Sequence, residues 1–110
     1  IEPMRAEPFK IIIEYYQSMG MWNMAYLYSK FAYTTYHNID LYPHKILFVE
    51  NKLYKWKLAE YYANACYYVN KREECKKVFT GVMNLTKSNP ELFSTEDLNR
   101  LNKNAEHFLK

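Results

Sequence analysis

Apolar residues in the first third of the chain recur at the three-and-four spacing that is typical of one face of an α-helix. Phe9, Ile12, Ile13 and Tyr16 follow this spacing up to Gly20. The same period resumes after the glycine, at Ala25, Tyr28, Ser29 and Ala32. Because glycine is suited to the left-handed end of a helix, the pattern predicts two antiparallel helices, over about 7–19 and 22–37.

A second helical hairpin is predicted over about 51–69 and 72–87, with Asn70 in the place of Gly20. The apolar positions of its first helix are Ala59, Tyr62, Ala63, Cys66 and Tyr67. Those of its second helix are Cys75, Val78, Phe79, Val82 and Met83. Residues 38–49 contain Pro43 and lack a clear period, which predicts a long connection between the hairpins.

A fifth helix is predicted after Asn89 and Pro90, where Ser94 and Asp97 have the spacing of a capping box. Its apolar stripe is Leu98, Leu101, Ala105, Phe108 and Leu109, opposite Glu96, Arg100, Lys103 and Lys110. The fold class is therefore all-α, a right-handed stack of antiparallel helical hairpins with about five helices in one domain, 1–110. Since the chain starts IEPMRAEP, without an initiator Met, we expect it to be a fragment of a longer protein.

Composition narrows the classes of partner. The 110 residues are 49% hydrophobic and 25% charged, with a formal net charge of +3. Because the basic residues form no clustered stripe, we expect no nucleic-acid partner, and no apolar run is long enough to suggest a membrane span. Cys66 and Cys75 lie at apolar helix positions, which predicts reduced, packed thiols and a cytoplasmic protein.

Candidate chemistry is sparse. His37, His44 and His107 lack the close spacing of zinc ligands, and two glycines cannot form a phosphate-binding loop. The sequence therefore predicts no catalytic residue, no metal and no cofactor. The charged residues near the start of the fourth helix are predicted to form ion pairs on a solvated face: Lys71, Arg72, Glu73, Glu74, Lys76 and Lys77.

Several aromatic and apolar residues fall beside the core stripes. Tyr15, Tyr26, Tyr61 and Tyr68 are predicted to pack at the core edge with their hydroxyls in water, the alternative being contact with a partner. Ile11 lies off the main face of the first helix. We expect it to be covered by an upstream domain or by a second copy of the chain.

In a stack of hairpins, the first helix of each pair lines the concave side. The candidate binding residues on that side are Lys10, Glu14, Gln17, Lys57, Asn64 and Tyr67. The alternative is that this polar face is only solvated.

The first hairpin resembles a tetratricopeptide-type repeat at Phe9, Ile12, Tyr16, Gly20, Trp22, Ala25 and Ala32. Residues 6–83 resemble more closely the helical region that follows the catalytic domain in a group of glycosyltransferases, many from giant viruses. The similar segments are AEPFKIIIEYYQSMGMWNMAYLYSKFA, YPHKILFVENKLYKWKLAEY and YYVNKREEC. The resemblance implies a fold and a context but no catalytic residue, since the sugar-nucleotide site of that family belongs to the preceding domain.

Together these features predict a non-catalytic accessory or interaction module, the C-terminal region of a glycosyltransferase-like protein. Its partner would be a protein: the catalytic domain, another chain or a second copy. Two alternatives are a free-standing tetratricopeptide-like adaptor that binds a peptide, and a direct glycan-binding module. The glycan-binding alternative requires exposed rings, for which Trp56 and Tyr67 are the candidates.

Overall fold

The computed structural model describes residues 7–36 and 56–110, and all regular secondary structure in these ranges is helical. The five helices are α1 (Glu7–Ser18), α2 (Trp22–Tyr36), α3 (Leu58–Tyr68), α4 (Arg72–Ser88) and α5 (Thr95–Phe108). Successive helices pack on one another, and α1 also contacts α3. For the described residues, the predicted all-α class with five α-helices is confirmed. No helix in these two ranges is both long and apolar enough to cross a membrane.

The turns that close the two hairpins have the same geometry. Gly20 and Asn70 have positive φ angles of 71° and 65°. In the first turn, the Met21 amide donates to the Tyr16 carbonyl at 2.8 Å, and 50 residues later the Lys71 amide donates to the Cys66 carbonyl at the same distance. These bonds, with the shorter-range ones from Gly20 and Asn70, define a Schellman motif at the end of each helix. The predicted correspondence of the two turns is confirmed.

Two groups of buried side chains form the core. The smaller joins the first hairpin to α3 and consists of Ile13, Ala32, Tyr36, Leu58 and Tyr61. The larger joins α3, α4 and α5 and includes Cys66, Cys75, Phe79, Leu101 and Phe108. Ala25, Ala32, Ala63 and Ala65 are all fully buried. Because these side chains are small, the helices that carry them can approach closely.

The predicted capping box is present at the start of α5. The Ser94 hydroxyl accepts a hydrogen bond from the Asp97 amide, and the Asp97 carboxylate accepts one from the Ser94 amide, each at 3.0 Å. A 3-10 turn, Pro90–Leu92, precedes this cap. It presents the Leu92 carbonyl to the indole N–H of Trp56 at 3.2 Å, which fixes the start of the second hairpin against the start of α5.

The predicted helix ends agree with the structure within one residue where both are described. The connection predicted over 38–49 and the start predicted at 51 for the third helix lie outside the described residues. In the described part, Trp56 and Lys57 form a π-helical turn that leads directly into α3.

Candidate functional site

An open groove of about 600 Å³ lies between α3 and α5, at the end where α2 begins. Aromatic rings and polar side chains both contribute to its lining. Its lining residues are Trp22, Asn64, Tyr67, Tyr68, Arg100, Asn104, His107 and Phe108. We call this the α3–α5 groove. Its residues come from three helices, so it exists only when the second hairpin, α5 and the start of α2 are assembled.

We call the aromatic part of the lining the aromatic wall, and its rings contact one another. The rings of Trp22 and Tyr68 stack with centroids 4.1 Å apart and an interplanar angle of 19°. Tyr67 meets Tyr68 edge-on at 5.3 Å and Phe108 at 4.8 Å. The Arg72 guanidinium lies 5.4 Å from the centre of the Tyr67 ring. Because each ring has an aromatic neighbour, the wall presents apolar area at a low cost in side-chain entropy.

The polar part of the lining contains two amide side chains, Asn64 and Asn104, and the guanidinium of Arg100. Arg100 donates to both carboxylate oxygens of Glu60, at 2.7 and 3.0 Å, and to the Asp97 carboxylate at 3.1 Å. The hydrogen bond to Glu60 is the main reason that the pKa of Arg100 is raised above its ordinary value. Arg100 therefore stays charged and fixed at the edge of the groove.

The sequence places Arg100 opposite the apolar stripe of α5 but does not reveal its partner, Glu60 of α3. Its partner Glu60 is only 2% exposed and also lies 3.5 Å from the ammonium of Lys57. A carboxylate buried in this way requires cationic partners. The pattern of α5 alone could not reveal the partner, because Glu60 lies on another helix 40 residues earlier.

The six predicted concave-face residues separate into two groups in the structure. On the α1 side, Gln17 donates to the Tyr61 carbonyl at 3.3 Å, and the Tyr61 hydroxyl donates to the Glu14 carboxylate. Lys10 lies on the same helix, and Lys57 lies beside Glu60 as described above. Asn64 and Tyr67 line the α3–α5 groove. The contacts of Glu14 and Gln17 thus join α1 to α3, and Lys57 pairs with Glu60 three residues later in the chain.

A second polar cluster joins α2, α3 and α4. The Glu74 carboxylate accepts hydrogen bonds from the hydroxyls of Tyr26, at 2.8 and 3.0 Å, and of Tyr62. The Lys30 ammonium lies 3.6 Å from the same carboxylate. Glu74 was predicted to lie among ion pairs on a solvated face. Its side chain is 33% exposed and does form an ion pair, but with Lys30 of α2 and not with a neighbour on α4. It bridges three helices instead.

The electrostatics of this cluster keep Glu74 ionised. Partial burial acts to raise the pKa of its carboxyl, but the hydrogen bonds from Tyr62 and Tyr26 and the charge of Lys30 lower the pKa overall. Burial and the bond to Glu74 raise the pKa of both tyrosine hydroxyls. Both phenols are therefore neutral donors at physiological pH, and the arrangement is that of a structural bridge.

The two cysteines are free and buried, as predicted. Burial raises the pKa of Cys66 to about 12 and that of Cys75 to about 11. Since the thiolate is the nucleophilic form, neither thiol is activated for chemistry at neutral pH. Within the two described ranges, no group of three or more His, Cys, Asp or Glu residues is arranged to hold a metal ion.

The four tyrosines predicted at the core edge have different environments. Tyr15 and Tyr68 are 57% and 58% exposed, whereas Tyr61 is buried and Tyr26 is partly buried. Trp56, one of the two candidates for an exposed sugar-stacking ring, is fully buried and stacks on Phe93 with centroids 4.6 Å apart. That candidate is wrong. Sequence reasoning did not identify Trp22, Asn104 or His107 as groove residues.

No protein-family model matches this chain, and no curated protein or solved structure shows significant similarity to it.

Proposed function

We propose that this chain is a non-catalytic helical interaction module that binds an extended peptide segment of a protein partner in the α3–α5 groove. The observation that carries the proposal is a groove whose lining combines the rings of Trp22, Tyr67, Tyr68 and Phe108 with the amides of Asn64 and Asn104.

The chemistry of the groove suits a peptide. A side-chain amide offers both a donor and an acceptor, so Asn64 and Asn104 can pair with the N–H and C=O groups of an extended backbone. The rings of Tyr67 and Tyr68 provide the apolar area on which a partner side chain can rest. Arg72, whose guanidinium lies over the Tyr67 ring, favours a segment that carries a carboxylate.

We infer that the two hairpins are successive units of a right-handed, tetratricopeptide-like stack. Three features support this inference: the equivalent Schellman turns at Gly20 and Asn70, the contact of α1 with α3, and the placement of α5 on the second hairpin. In such a stack, the groove lies beside the helix that lines the concave side of the second unit.

The resemblance to the helical region of glycosyltransferases suggests a setting for this module, in which the bound segment belongs to a catalytic domain or to a protein that the enzyme recruits. The native open reading frame tests the setting separately. An upstream domain with an acidic metal-binding motif supports it, and an open reading frame without one favours a free-standing adaptor.

Peptide binding is tested by selecting a random peptide library against the whole chain. We expect enrichment of sequences that combine an apolar anchor with Asp, Glu or a free C-terminal carboxylate. Tyr68→Ser removes an exposed ring from the groove and is expected to weaken binding of the enriched peptides at least about tenfold.

Tyr15→Ser is the matched control. Tyr15 and Tyr68 are equally exposed, and each ring contacts one adjacent tyrosine edge-on, at 5.5 and 5.3 Å. Tyr15 lies outside the groove, so its substitution should leave peptide binding unchanged. Absence of any enriched sequence, or equal effects of the two substitutions, contradicts the proposal.

A further inference from the structure

Large apolar side chains are exposed on one side of the first hairpin. They are Ile11, Tyr15 and Met19, on and just after α1, and Leu27 and Phe31 on α2, with exposures from 54% to 70%. We call this set the outer face. It shares no residue with the α3–α5 groove.

The helical period directs the outer face away from the second hairpin. Ile11 and Tyr15 lie two residues before and after Ile13, which is buried against Leu58 and Tyr61 of α3. Two residues along an α-helix correspond to a rotation of about 200°, so the side chains of Ile11 and Tyr15 project from the opposite side. Leu27 and Phe31 likewise lie two residues before and after the fully buried Ser29, so their side chains project from the side of α2 opposite Ser29.

A shallow apolar groove of about 360 Å³ runs along this side of the hairpin. Its lining residues are Phe9, Met24, Leu27, Tyr28 and Phe31. Aromatic contacts hold its base in place: the rings of Phe9 and Phe31 are 5.4 Å apart, and Tyr16 stacks on Tyr28 at 5.6 Å with an interplanar angle of 14°. The groove therefore has a defined shape, and it shares Leu27 and Phe31 with the outer face.

The opposite end of the stack is closed differently. There α5 buries Leu101 and Phe108 against the second hairpin. The exposed residues of α5 include Glu96, Asn99, Lys103 and Glu106. Terminal units of a helical stack have a polar outer side where they meet water. On the first hairpin, five large apolar side chains are exposed, which indicates that its outer face meets another surface.

We propose that the outer face binds a second copy of this chain. A two-fold axis would place the Ile11–Tyr15 ridge of each copy in the Phe9–Phe31 groove of the other, as in a self-complementary dimer. None of the residues of the ridge or the groove is charged, so two identical faces meet without like-charge repulsion.

The exposed area is sufficient for such an interface. If each of the five outer-face side chains has roughly 200 Å² of full accessible area, their exposures leave about 600 Å² per copy. The flanking groove residues add to this value. A standard protein interface buries about 800 Å² on each partner.

The test is the mass of the whole chain in solution, measured by sedimentation equilibrium from about 1 to 500 µM. We expect the weight-average mass to rise with concentration towards twice the chain mass of 13.4 kDa. Leu27→Glu places a charge on the outer face of both copies and is expected to weaken dimerisation at least about a hundredfold. Because Leu27 is 60% exposed, the far-ultraviolet circular dichroism and the melting temperature of the monomer should be retained.

Leu109→Glu is the matched control, since Leu109 is a large apolar residue exposed at the other end of the stack. It should leave dimerisation unchanged. A wild-type chain that remains monomeric throughout the concentration range overturns the proposal and assigns the face to a different protein. A dimer that tolerates Leu27→Glu but dissociates with Leu109→Glu also overturns it.

Discussion

The Arg100 guanidinium donates hydrogen bonds to both carboxylate oxygens of Glu60, at 2.7 and 3.0 Å, across the contact between α5 and α3. Glu60 is buried, while the Arg100 side chain is 39% exposed at the edge of the groove. The pair therefore fixes the orientation of α5 relative to α3, on which the shape of the groove depends.

Removing one partner of this ion pair should lower the stability of the fold. Arg100→Met leaves a buried carboxylate with Lys57 and is expected to lower the free energy of unfolding by about 3 kcal/mol. The double variant Glu60→Met/Arg100→Met removes both charges and should recover more than half of that loss. Urea denaturation measures both values.

Lys103→Met, at an exposed position of the same helix, is the control and should change stability by less than about 0.5 kcal/mol. Equal stability of the Arg100→Met variant and the wild type would show that the pair does not anchor α5.

Substitution by alanine should have opposite effects on stability at the two glycines, Gly20 and Gly81. Gly20 has a φ of 71°, which a residue with a Cβ adopts only with strain, so Gly20→Ala should destabilise the protein by about 1 kcal/mol. Gly81 lies inside α4, and a Cβ at this position has no atom within 4 Å. Gly81→Ala should therefore stabilise the protein, by about 0.5–1 kcal/mol.

Thermal unfolding of the two variants measures both effects. A Gly20→Ala variant that melts no lower than the wild type would contradict a left-handed turn at Gly20, and a Gly81→Ala variant that melts lower would contradict the open space at Gly81.

Acidification should weaken the bridge at Glu74. Because the folded-state pKa of this carboxyl is lowered, its stabilisation is fully present above the unfolded-state pKa of about 4.3 and is lost as the pH falls through the folded value. Glu74→Gln is expected to cost about 1–2 kcal/mol at pH 7, and the difference from wild type should shrink at lower pH.

Unfolding free energies of the two proteins between pH 2.5 and pH 7 test this prediction. The exposed neighbour Glu73 provides the control substitution, Glu73→Gln, for which we expect no such pH-dependent difference. A Glu74→Gln variant whose difference from wild type is constant with pH would contradict the bridge.

The helices and turns could be predicted because their signals are local. The three-and-four spacing around Ile13, the left-handed positions at Gly20 and Asn70, and the capping box at Ser94 are each determined by residues within one or two helical turns. The exposure of Ile11 follows from the same period.

The ion pairs could not be predicted in this way. A helical period separates the core face from the solvated face, but it does not say which neighbouring helix covers the boundary between them. Glu60 and Glu74 lie at such boundaries, and their partners are 40 residues later and 48 residues earlier. The sequence also did not indicate that Asn104 and His107 line the groove. The contact of α5 with α3 arises from tertiary packing, which a helical period does not specify.

Amide chemical-shift mapping tests the central claim, that the α3–α5 groove binds a peptide. The uniformly ¹⁵N-labelled chain is titrated with the most enriched peptide from the library selection. We expect the largest shifts at the side-chain amides of Asn64 and Asn104 and at the indole N–H of Trp22, with Trp56 unaffected. Shifts that concentrate instead at Ile11, Leu27 and Phe31, with none in the groove, would contradict the account.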